Sequence, residues 1–361
     1  MAAKYLMLVS QLRSRLRDGR DVLAGHLPSE NALAQEYGVS RQTVRQALCI
    51  LAEEGRIEKR KGSGSRIVAP EEGGGRQIAV VASYLDDYIF PGVLADIRAV
   101  LAAHGYVPAV YATQNSVSAE REALQKLLAE GAAGAIIEGV RTALPSPNVD
   151  LYEQLAARRI PAVFLHGCSP QLKDAVCISD DNEGGAYLLT RTLASLGHRQ
   201  IAGIFKSDDQ QGLARYAGYT AALRDAGLAL PAGQTLWYST EDRQDFLDAG
   251  NTAALQNFIR RRLGACTAVL CYNDEIAYLL IRLLAAAGRL VPEDVSVASF
   301  DNSYYSDASP VPITSLGHAP HAMGRTTAEA LMDLLAGIPH KSEQLAWTLH
   351  QKESTAPRKE R

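Results

Sequence analysis

Residues Leu27-Pro28-Ser29-Glu30, followed by Gly38-Val39-Ser40-Arg41-Gln42-Thr43-Val44-Arg45-Gln46-Ala47-Leu48, open a stretch that runs to Val68 and decides the architecture of the N-terminal part. Pro28-Ser29-Glu30 starts a helix: the Ser29 hydroxyl can cap it, and the Glu30 carboxylate suits the positive end of the helix dipole. Leu33, Ala34 and Tyr37 give that helix a buried stripe, and Gly38 stops it where a left-handed residue costs least. Ser40 caps a second helix. Its Val44, Ala47, Leu48 and Leu51 fall at i, i+3, i+4 and i+7, so one face is core. The opposite face carries Arg41, Gln42, Arg45 and Gln46, side chains that reach phosphates and base edges. Gly55 closes this helix, Arg56 to Arg60 alternates like a strand, Lys61-Gly62-Ser63-Gly64 turns, and Ser65 to Val68 returns. Upstream, Tyr5, Leu8 or Val9, Leu12 and Leu16 predict a supporting helix. Helix, glycine turn, capped helix and cationic hairpin, in that order, predict a winged helix-turn-helix that sets one helix in the DNA major groove. A merely solvated helical hairpin would not need the basic wing.

A chain of 361 residues exceeds one ordinary domain, and 47% hydrophobic content suffices for real cores. The net charge of −3 hides a split: residues 1–70 hold 12 Lys and Arg against 7 Asp and Glu, whereas the rest is acidic overall. A basic head on an acidic body predicts that only the head meets nucleic acid. Met1 to Arg20 is amphipathic and studded with arginine, unlike a secretory signal, and no apolar run approaches a membrane span. The expected location is the cytoplasm, with no membrane partner. The five cysteines, at 49, 168, 177, 266 and 271, show no Cys-x-x-Cys spacing. They are read as reduced thiols, with no metal site expected.

Pro70-Glu71-Glu72-Gly73-Gly74-Gly75 reads as a linker, so the expected organisation is a head over 1–70, a linker over 71–76 and a second domain over 77–361. Beyond the linker, apolar strands alternate with helices. Strands are expected at Ile78 to Ala82, Val107 to Tyr111, Gly134 to Ile137, Gln200 to Phe205, Leu236 to Tyr238, Ala268 to Cys271 and Val295 to Phe300. Helices are expected at Gly92 to His104, Ala119 to Glu130, Arg215 to Ala226, Leu255 to Leu263 and Glu275 to Ala287. Continuous apolar strands of this kind form parallel sheets covered on both faces, and about 280 residues of them fit two α/β lobes. Ligands of such sheets sit beyond the carboxyl ends of the strands. That directs attention to Ser83 to Phe90, Glu138, His166, Lys206 to Asp209, Asn273-Asp274 and Asp301-Asn302.

The head resembles the DNA-binding domain of the GntR family at Pro28-Ser29-Glu30, Gly38-Val39-Ser40-Arg41 and Thr43-Val44-Arg45-Gln46-Ala47-Leu48. The resemblance implies that the helix from Ser40-Arg41 enters the major groove and that the glycine wing meets the neighbouring minor groove. The implied DNA-contacting set is Ser29, Ser40, Arg41, Gln42, Thr43, Arg45 and the wing tip Lys61, Gly62, Ser63 and Gly64. The family's wing usually reads Gly-x-Gly-Thr and then an aromatic residue, and Ser65-Arg66 departs from it. The second domain resembles LacI/GalR-type sensors at Ser195-Leu196-Gly197-His198, Arg215 with Gly218-Tyr219, Asn273-Asp274-Glu275-Ile276-Ala277 and Pro292 through Asn302. That resemblance implies a periplasmic-binding-protein-like pair of lobes that closes on a small molecule, with Arg215, Asn273 and Asp301 on sugar hydroxyls. The combination of heads is characteristic of arabinose-responsive repressors. The chain is similar to them at Tyr84 through Pro91, at Gly203 to Asp209 and at Cys271 to Glu275.

A pentose needs donors and acceptors around its rim and an aromatic surface on its C–H face. Tyr88 and Phe90 are expected to supply the surface. Glu138, Asp209 and Asp301 would accept, Lys206, Arg215 and Asn273 would donate, and His166 is a further candidate. Asp274 is expected to cap the helix near Glu275, and His198 to be structural. No nucleophile, phosphate loop or metal-spaced cluster accompanies Asp208-Asp209, so no catalytic residue and no cofactor is expected. The resemblance implies a repressor released from operator DNA by L-arabinose and acting as a homodimer on a two-fold site. Competing readings are another sugar (xylose, ribose or a disaccharide), a purine-type corepressor, a transport-type binding protein and a sugar-processing enzyme.

Overall fold

The computed structural model describes residues 8–9, 11–12, 27–53, 57–60, 64–67, 76–85, 88–230 and 233–358. The chain divides into two compact units, 1–75 and 76–361. In the first, α1 (Glu30–Glu36) is capped by Ser29, whose hydroxyl accepts from the Ala32 amide at 3.2 Å. Gly38 takes φ +61, the left-handed value that lets the chain reverse. In α2 (Arg41–Glu53) the Thr43 amide donates to Ser40 Oγ at 3.2 Å. Val44, Ala47, Leu48 and Leu51 are buried with Leu8, Val9, Leu12, Leu27, Leu33 and Ile57. Arg41, Gln42, Arg45 and Gln46 face solvent, as the spacing requires. Strands β1 (Ile57–Arg60) and β2 (Gly64–Ile67) form the antiparallel wing, with Lys59 opposite Ser65. Ser65, at the point of departure from the GntR wing, is buried, and its carbonyl accepts from the Leu27 amide at 2.9 Å. The expected contacts Lys61, Gly62 and Ser63, and the upstream Tyr5 and Leu16, lie outside the described residues.

The second unit runs β3 (Gln77–Ala82), α3 (Phe90–Ala103), β4 (Val107–Ala112), α4 (Val117–Glu130), β5 (Gly134–Ile137), α5 (Val149–Ala157), β6 (Ala162–Leu165) and β7 (Val176–Asp180). It continues with α6 (Asn182–Ser195), β8 (Ile201–Lys206), α7 (Gln210–Asp225), β9 (Thr235–Tyr238), α8 (Thr240–Leu247), α9 (Ala253–Arg261), β10 (Ala268–Cys271) and α10 (Asp274–Ala286). The last elements are β11 (Ser296–Phe300), α11 (Tyr304–Ala308), β12 (Thr314–Gly317), α12 (Ala322–Leu335), β13 (Glu343–Leu345) and β14 (Thr348–His350). They build two six-stranded sheets, ordered β13-β7-β6-β5-β3-β4 and β14-β12-β11-β10-β8-β9. The first is parallel throughout, and the second is parallel except at one edge, where β14 runs antiparallel to β12, a reversal that the apolar pattern does not signal.

Both sheets are covered on two faces, which explains their uninterrupted apolar strands. Alternate residues of β3 enter opposite cores: Ile78, Val80 and Ala82 pack with α3 and α12, Ala79 and Val81 with α4 and α5. Each fully buried Ile or Val contributes about 1.5–3 kcal/mol. Strand β8 divides likewise, Ala202 and Ile204 to one core and Ile201 and Phe205 to the other. Helices α6 and α7 approach so closely that a Cβ on Gly218 would lie 2.0 Å from the Glu183 carbonyl oxygen. The neighbouring Tyr219 is buried, and its hydroxyl donates to the Ile201 carbonyl at 2.7 Å. The Gly-Tyr half of the Arg-x-x-Gly-Tyr pattern is thus a packing device.

The chain passes between the lobes three times: after β7, after β12 and between β13 and β14. His318 ties all three passages. Its Nε2 lies 2.7 Å from Asp180 Oδ1 and its Nδ1 3.1 Å from the Ala346 carbonyl oxygen. Its ring stacks on Trp347 at 3.8 Å, and the indole donates to the Asp181 carbonyl at 2.9 Å. Among the described residues no helix is long and apolar enough to cross a membrane.

Candidate functional site

Between the lobes lies a cavity of about 520 Å³, and all nine residues expected at the site (Tyr88, Phe90, Glu138, His166, Lys206, Asp209, Arg215, Asn273 and Asp301) line it. They come from both lobes because the strands point their carboxyl ends at the gap. On the N-terminal lobe, Glu138 follows β5 and accepts from the Ser83 amide at 2.6 Å. Its other oxygen lies 3.1 Å from His166 Nδ1. Burial alone would raise the Glu138 pKa, but the His166 and Ser83 bonds hold it below the usual value. The same partnership overcomes burial at His166, whose pKa rises to about 9 with help from Asp180. Glu138 and His166 therefore meet the cavity as a carboxylate and an imidazolium.

On the C-terminal lobe, Arg215 projects from α7 and is 1% exposed. Its Nε donates to Asn182 Oδ1 at 2.8 Å, one terminal nitrogen donates to the Tyr272 carbonyl, and another lies 3.6 Å from Asp301 Oδ1. The guanidinium also sits 4.0 Å from the Phe300 ring centroid. Asp301 takes φ +91 just after β11, which turns its carboxylate back toward Arg215. Burial raises its pKa, and Arg215 works against that rise. Lys206 is committed within its own lobe: its ammonium lies 2.8 Å from Asp208, 2.7 Å from Asp209 and 3.0 Å from Thr240 Oγ1. Burial opposes that charge, and the two aspartates outweigh it. Asp209 also accepts from the Tyr272 hydroxyl at 3.3 Å, so it is the acceptor through which this cluster meets the cavity.

Two expectations change. Asn273, and not Asp274, caps α10: its Oδ1 accepts from the Ile276 amide at 3.1 Å. Asp274 is the first helical residue and fully buried. Its carboxylate accepts from Ser299, from Ser315 at 2.7 Å and from the Ser303 amide at 2.7 Å. Burial and the neighbouring Asp301 charge push its pKa up to about 7. An Asp in the first turn gains from the dipole anyway, which leaves the cap to the preceding side chain. Phe90 is the second case: only 4% exposed, it packs in the core with Ile97 and Met323 while lining the cavity. Tyr88 has a polar role besides a surface. From φ +62 its hydroxyl crosses the gap to donate to Asp301 Oδ2 at 2.5 Å, and accepts from the Asp274 amide at 3.2 Å. His198 is structural as expected, held by Thr267 Oγ1 at 2.8 Å and the Ala356 carbonyl at 3.1 Å.

Tyr84, within the Ser83 to Phe90 strand end, lines the cavity too, and so do residues that the strand ends singled out in the sequence do not include, chief among them Asn115, Asp180, Arg243, Tyr272 and Glu275. Asn115 and Asp180 stand at the ends of β4 and β7, and Arg243 follows β9. The strand-end rule leads from β4 to Asn115 and from β9 to the segment that carries Arg243, whereas no strand is expected at Val176–Asp180 and Asp180 escapes it. Asn115 Nδ2 donates across the gap to Thr240 Oγ1 at 2.6 Å, and the Gln210 amide donates to Thr142 Oγ1 at 3.1 Å. The lobes are therefore closed on one another. Buried charges of both signs and several hydroxyls converge on one space between the lobes, an arrangement suited to a small polyhydroxylated molecule. Among the described residues no group of His, Cys, Asp and Glu is placed to hold a metal.

The head's candidate DNA face is partly pre-ordered. Arg45 reaches Glu30 with nitrogen–oxygen distances of 3.4 and 3.1 Å, and the Ser40 and Thr43 hydroxyls lie 2.9 Å apart. Arg41 and Gln42 project from the first turn of α2, where a groove-reading helix meets bases.

Residues 4–67 match the gntR family of bacterial regulatory proteins, and residues 190–355 match a periplasmic binding protein-like domain. The chain is 33% identical over 342 residues to the arabinose metabolism transcriptional repressor of Halalkalibacterium halodurans, covering 93% of this chain and 90% of that one. It is also 33% identical to the protein of the same name from Geobacillus stearothermophilus, over 92% and 91% of the two chains. Among solved structures, a complex of the transcriptional regulator CelR with cellobiose aligns with a TM-score of 0.67 at 22% identity, over 91% of this chain and 100% of that one.

Proposed function

Since this chain belongs to the family of transcriptional repressors that join a gntR-type head to a periplasmic-binding-protein-like sensor, we propose that it represses arabinose-utilisation genes and leaves its operator when L-arabinose enters the interlobe cavity. It is a sugar-responsive transcriptional repressor and not an enzyme. The observation that carries the sugar reading is the cavity itself. Glu138 with His166, Arg215 with Asp301, and Asp209 beside Lys206 present fixed acceptors and donors from both lobes. Its volume falls among the about 300–1,000 Å³ common for small-molecule sites. The names of the relatives supply arabinose as the sugar.

On this reading Tyr88, Glu138, His166, Arg215, Asn273 and Asp301 contact the effector directly, Asp209 contacts it with Lys206 holding it, and Phe90 walls the site. In the head, Arg41, Gln42, Thr43 and Arg45 meet the major groove, Ser29 and Ser40 meet phosphates while capping their helices, and Lys61 to Gly64 lie along the minor groove. Two copies present two such helices to a two-fold operator in the cytoplasm, and the large unit supplies both the effector site and the dimer contacts. Sugar acts only through its different affinity for the lobe arrangements that favour and disfavour DNA.

The test is fluorescence anisotropy of a labelled palindromic operator at fixed salt, with L-arabinose, D-xylose, D-ribose, cellobiose and a purine titrated in turn. Release by L-arabinose at the lowest concentration supports the reading. Tightening of the complex by any ligand, or release by another sugar only, overturns it.

A further inference from the structure

The strand order sets the hinge and a line of interlobe bonds at opposite ends of the cleft. The three passages between the lobes involve β7, β12, β13 and β14, on one side of both sheets, whereas β4 and β9 are the edges of the other side. Four strand spacings separate β4 from β7, about 19 Å, so an opening of only about 10° at the hinge parts the β4 and β9 ends by about 3 Å. Hydrogen bonds do not survive such a separation.

A seam of hydrogen bonds joins the lobes at that far edge. Asn115 Nδ2 donates to Thr240 Oγ1 at 2.6 Å, the Gln210 amide to Thr142 Oγ1 at 3.1 Å, the Ala143 amide to the Asp208 carbonyl at 3.2 Å, and the Arg141 guanidinium to Glu241. Each partner of the first bond is aimed by its own lobe. Asn115 takes φ +55, and its Oδ1 accepts from the Arg141 amide at 2.9 Å, which turns Nδ2 toward Thr240. Thr240 opens α8, where Ser239 and Asp242 form a capping box at 3.2 and 2.8 Å, and its amide donates to Asp208 Oδ2 at 3.0 Å. Both residues are buried. The Thr240 hydroxyl also accepts from the Lys206 ammonium at 3.0 Å, and Lys206 in turn holds Asp209 at 2.7 Å. Asn115, Lys206 and Asp209 line the cavity, and Thr240 lies behind them.

We infer that Thr240 is a positioning residue for the effector site: its hydroxyl clasps Asn115 of the opposite lobe while it steadies Lys206, so that closing the cleft and setting Asp209 toward the ligand are one event. The inference rests on the sugar-binding reading above and deepens it. Thr240 acts on sugar affinity without touching sugar, because the apparent affinity for the closed arrangement falls with the fraction of molecules that adopt it.

The experiment compares the full chain with Thr240→Val, which keeps the side-chain shape and removes the hydroxyl, and with Thr240→Ser, which keeps the hydroxyl. In calorimetric titration L-arabinose should bind Thr240→Val about tenfold more weakly than wild type, and Thr240→Ser within about threefold of it. Amide hydrogen exchange without sugar, followed by mass spectrometry, reads the clasp itself. Thr240→Val should speed exchange across residues 141–143, which lie on the other lobe, and Thr240→Ser should not. A residue that only steadied Lys206 would leave those amides as they are. Wild-type affinity in Thr240→Val, unchanged exchange across 141–143, or a Thr240→Ser as impaired as Thr240→Val overturns the inference and leaves the sugar reading intact. If Thr240→Val does not melt cooperatively, Asn115→Ala removes the clasp from the other lobe, and unchanged exchange of the Gln210 amide then overturns the inference. Wild type that binds D-xylose or D-ribose in place of L-arabinose overturns arabinose as effector, and wild type that binds no sugar overturns the sugar reading. The exchange comparison, made without sugar, decides the clasp in either case.

Discussion

Arg215→Ala separates a binding arginine from a surface one, and the structure sets the size of the effect. The guanidinium is 1% exposed, bonds Asn182 and the Tyr272 carbonyl, faces Asp301 at 3.6 Å and stacks on Phe300. Truncation strands the Tyr272 carbonyl and leaves the Asp301 carboxylate buried without its cation. Breaking a buried pair in this way costs about 3–5 kcal/mol. For a unit of this size each kcal/mol moves the melting point by about 2–4 °C, so a fall of about 10 °C in the sensor transition is expected by scanning calorimetry. The penalty should shrink as pH falls. Burial raises the Asp301 pKa and Arg215 opposes the rise, so without Arg215 the carboxyl protonates more readily and ceases to be an unpaired charge. Adding Asp301→Asn should recover part of the loss, with a coupling of at least about 1 kcal/mol. Operator binding at low temperature should survive while sugar response is lost. A melting point within about 2 °C of wild type would refute the buried-pair reasoning.

Two further outcomes follow from named contacts. His166 has its pKa raised from 6.5 to about 9 by Glu138 and Asp180 against the effect of burial. A group raised in the folded state contributes stability that is fully present below its unfolded pKa and is lost as pH rises through the folded one. The wild-type advantage over His166→Gln in sensor unfolding free energy should therefore decline between pH 6.5 and about 9, by at most about 3 kcal/mol; a flat difference would contradict the pairing. In the head, Arg45 is exposed and paired with Glu30 at 3.1 Å. Glu30→Ala should leave head melting nearly unchanged and steepen the salt dependence of DNA binding by about one counterion per head, because the freed arginine becomes available to phosphate.

The head and the alternation of strands and helices were legible because local signals agreed: Ser29 and Ser40 cap where their spacing says, Gly38 takes the left-handed turn, and α2 buries the face its periodicity marks. The nine residues expected at the site line one cavity because the carboxyl ends of parallel strands share one edge, a property of topology that a strand pattern carries. What escaped depends on distant partners. No local rule reveals that β14 reverses to pair β12, or that His318 ties Asp180 to Ala346 across more than a hundred residues. Asn273 and not Asp274 caps α10 because a chain of serines from β11, β12 and the Ser303 turn captures the Asp274 carboxylate. Arg243 and Tyr84 are ordinary residues in the sequence; only the closed lobes bring them together.

The claim that the cavity and the head are two ends of one switch is tested most directly by reciprocity. Equilibrium coupling must be the same from either side: the factor by which L-arabinose weakens operator binding equals the factor by which operator weakens L-arabinose binding. Calorimetric titration of L-arabinose into the free full chain and into its saturated operator complex, at one salt concentration, measures the second factor. Sugar affinity lower in the complex, by the factor that anisotropy gives for operator release, is the predicted result. Equal sugar affinity with and without operator would contradict it.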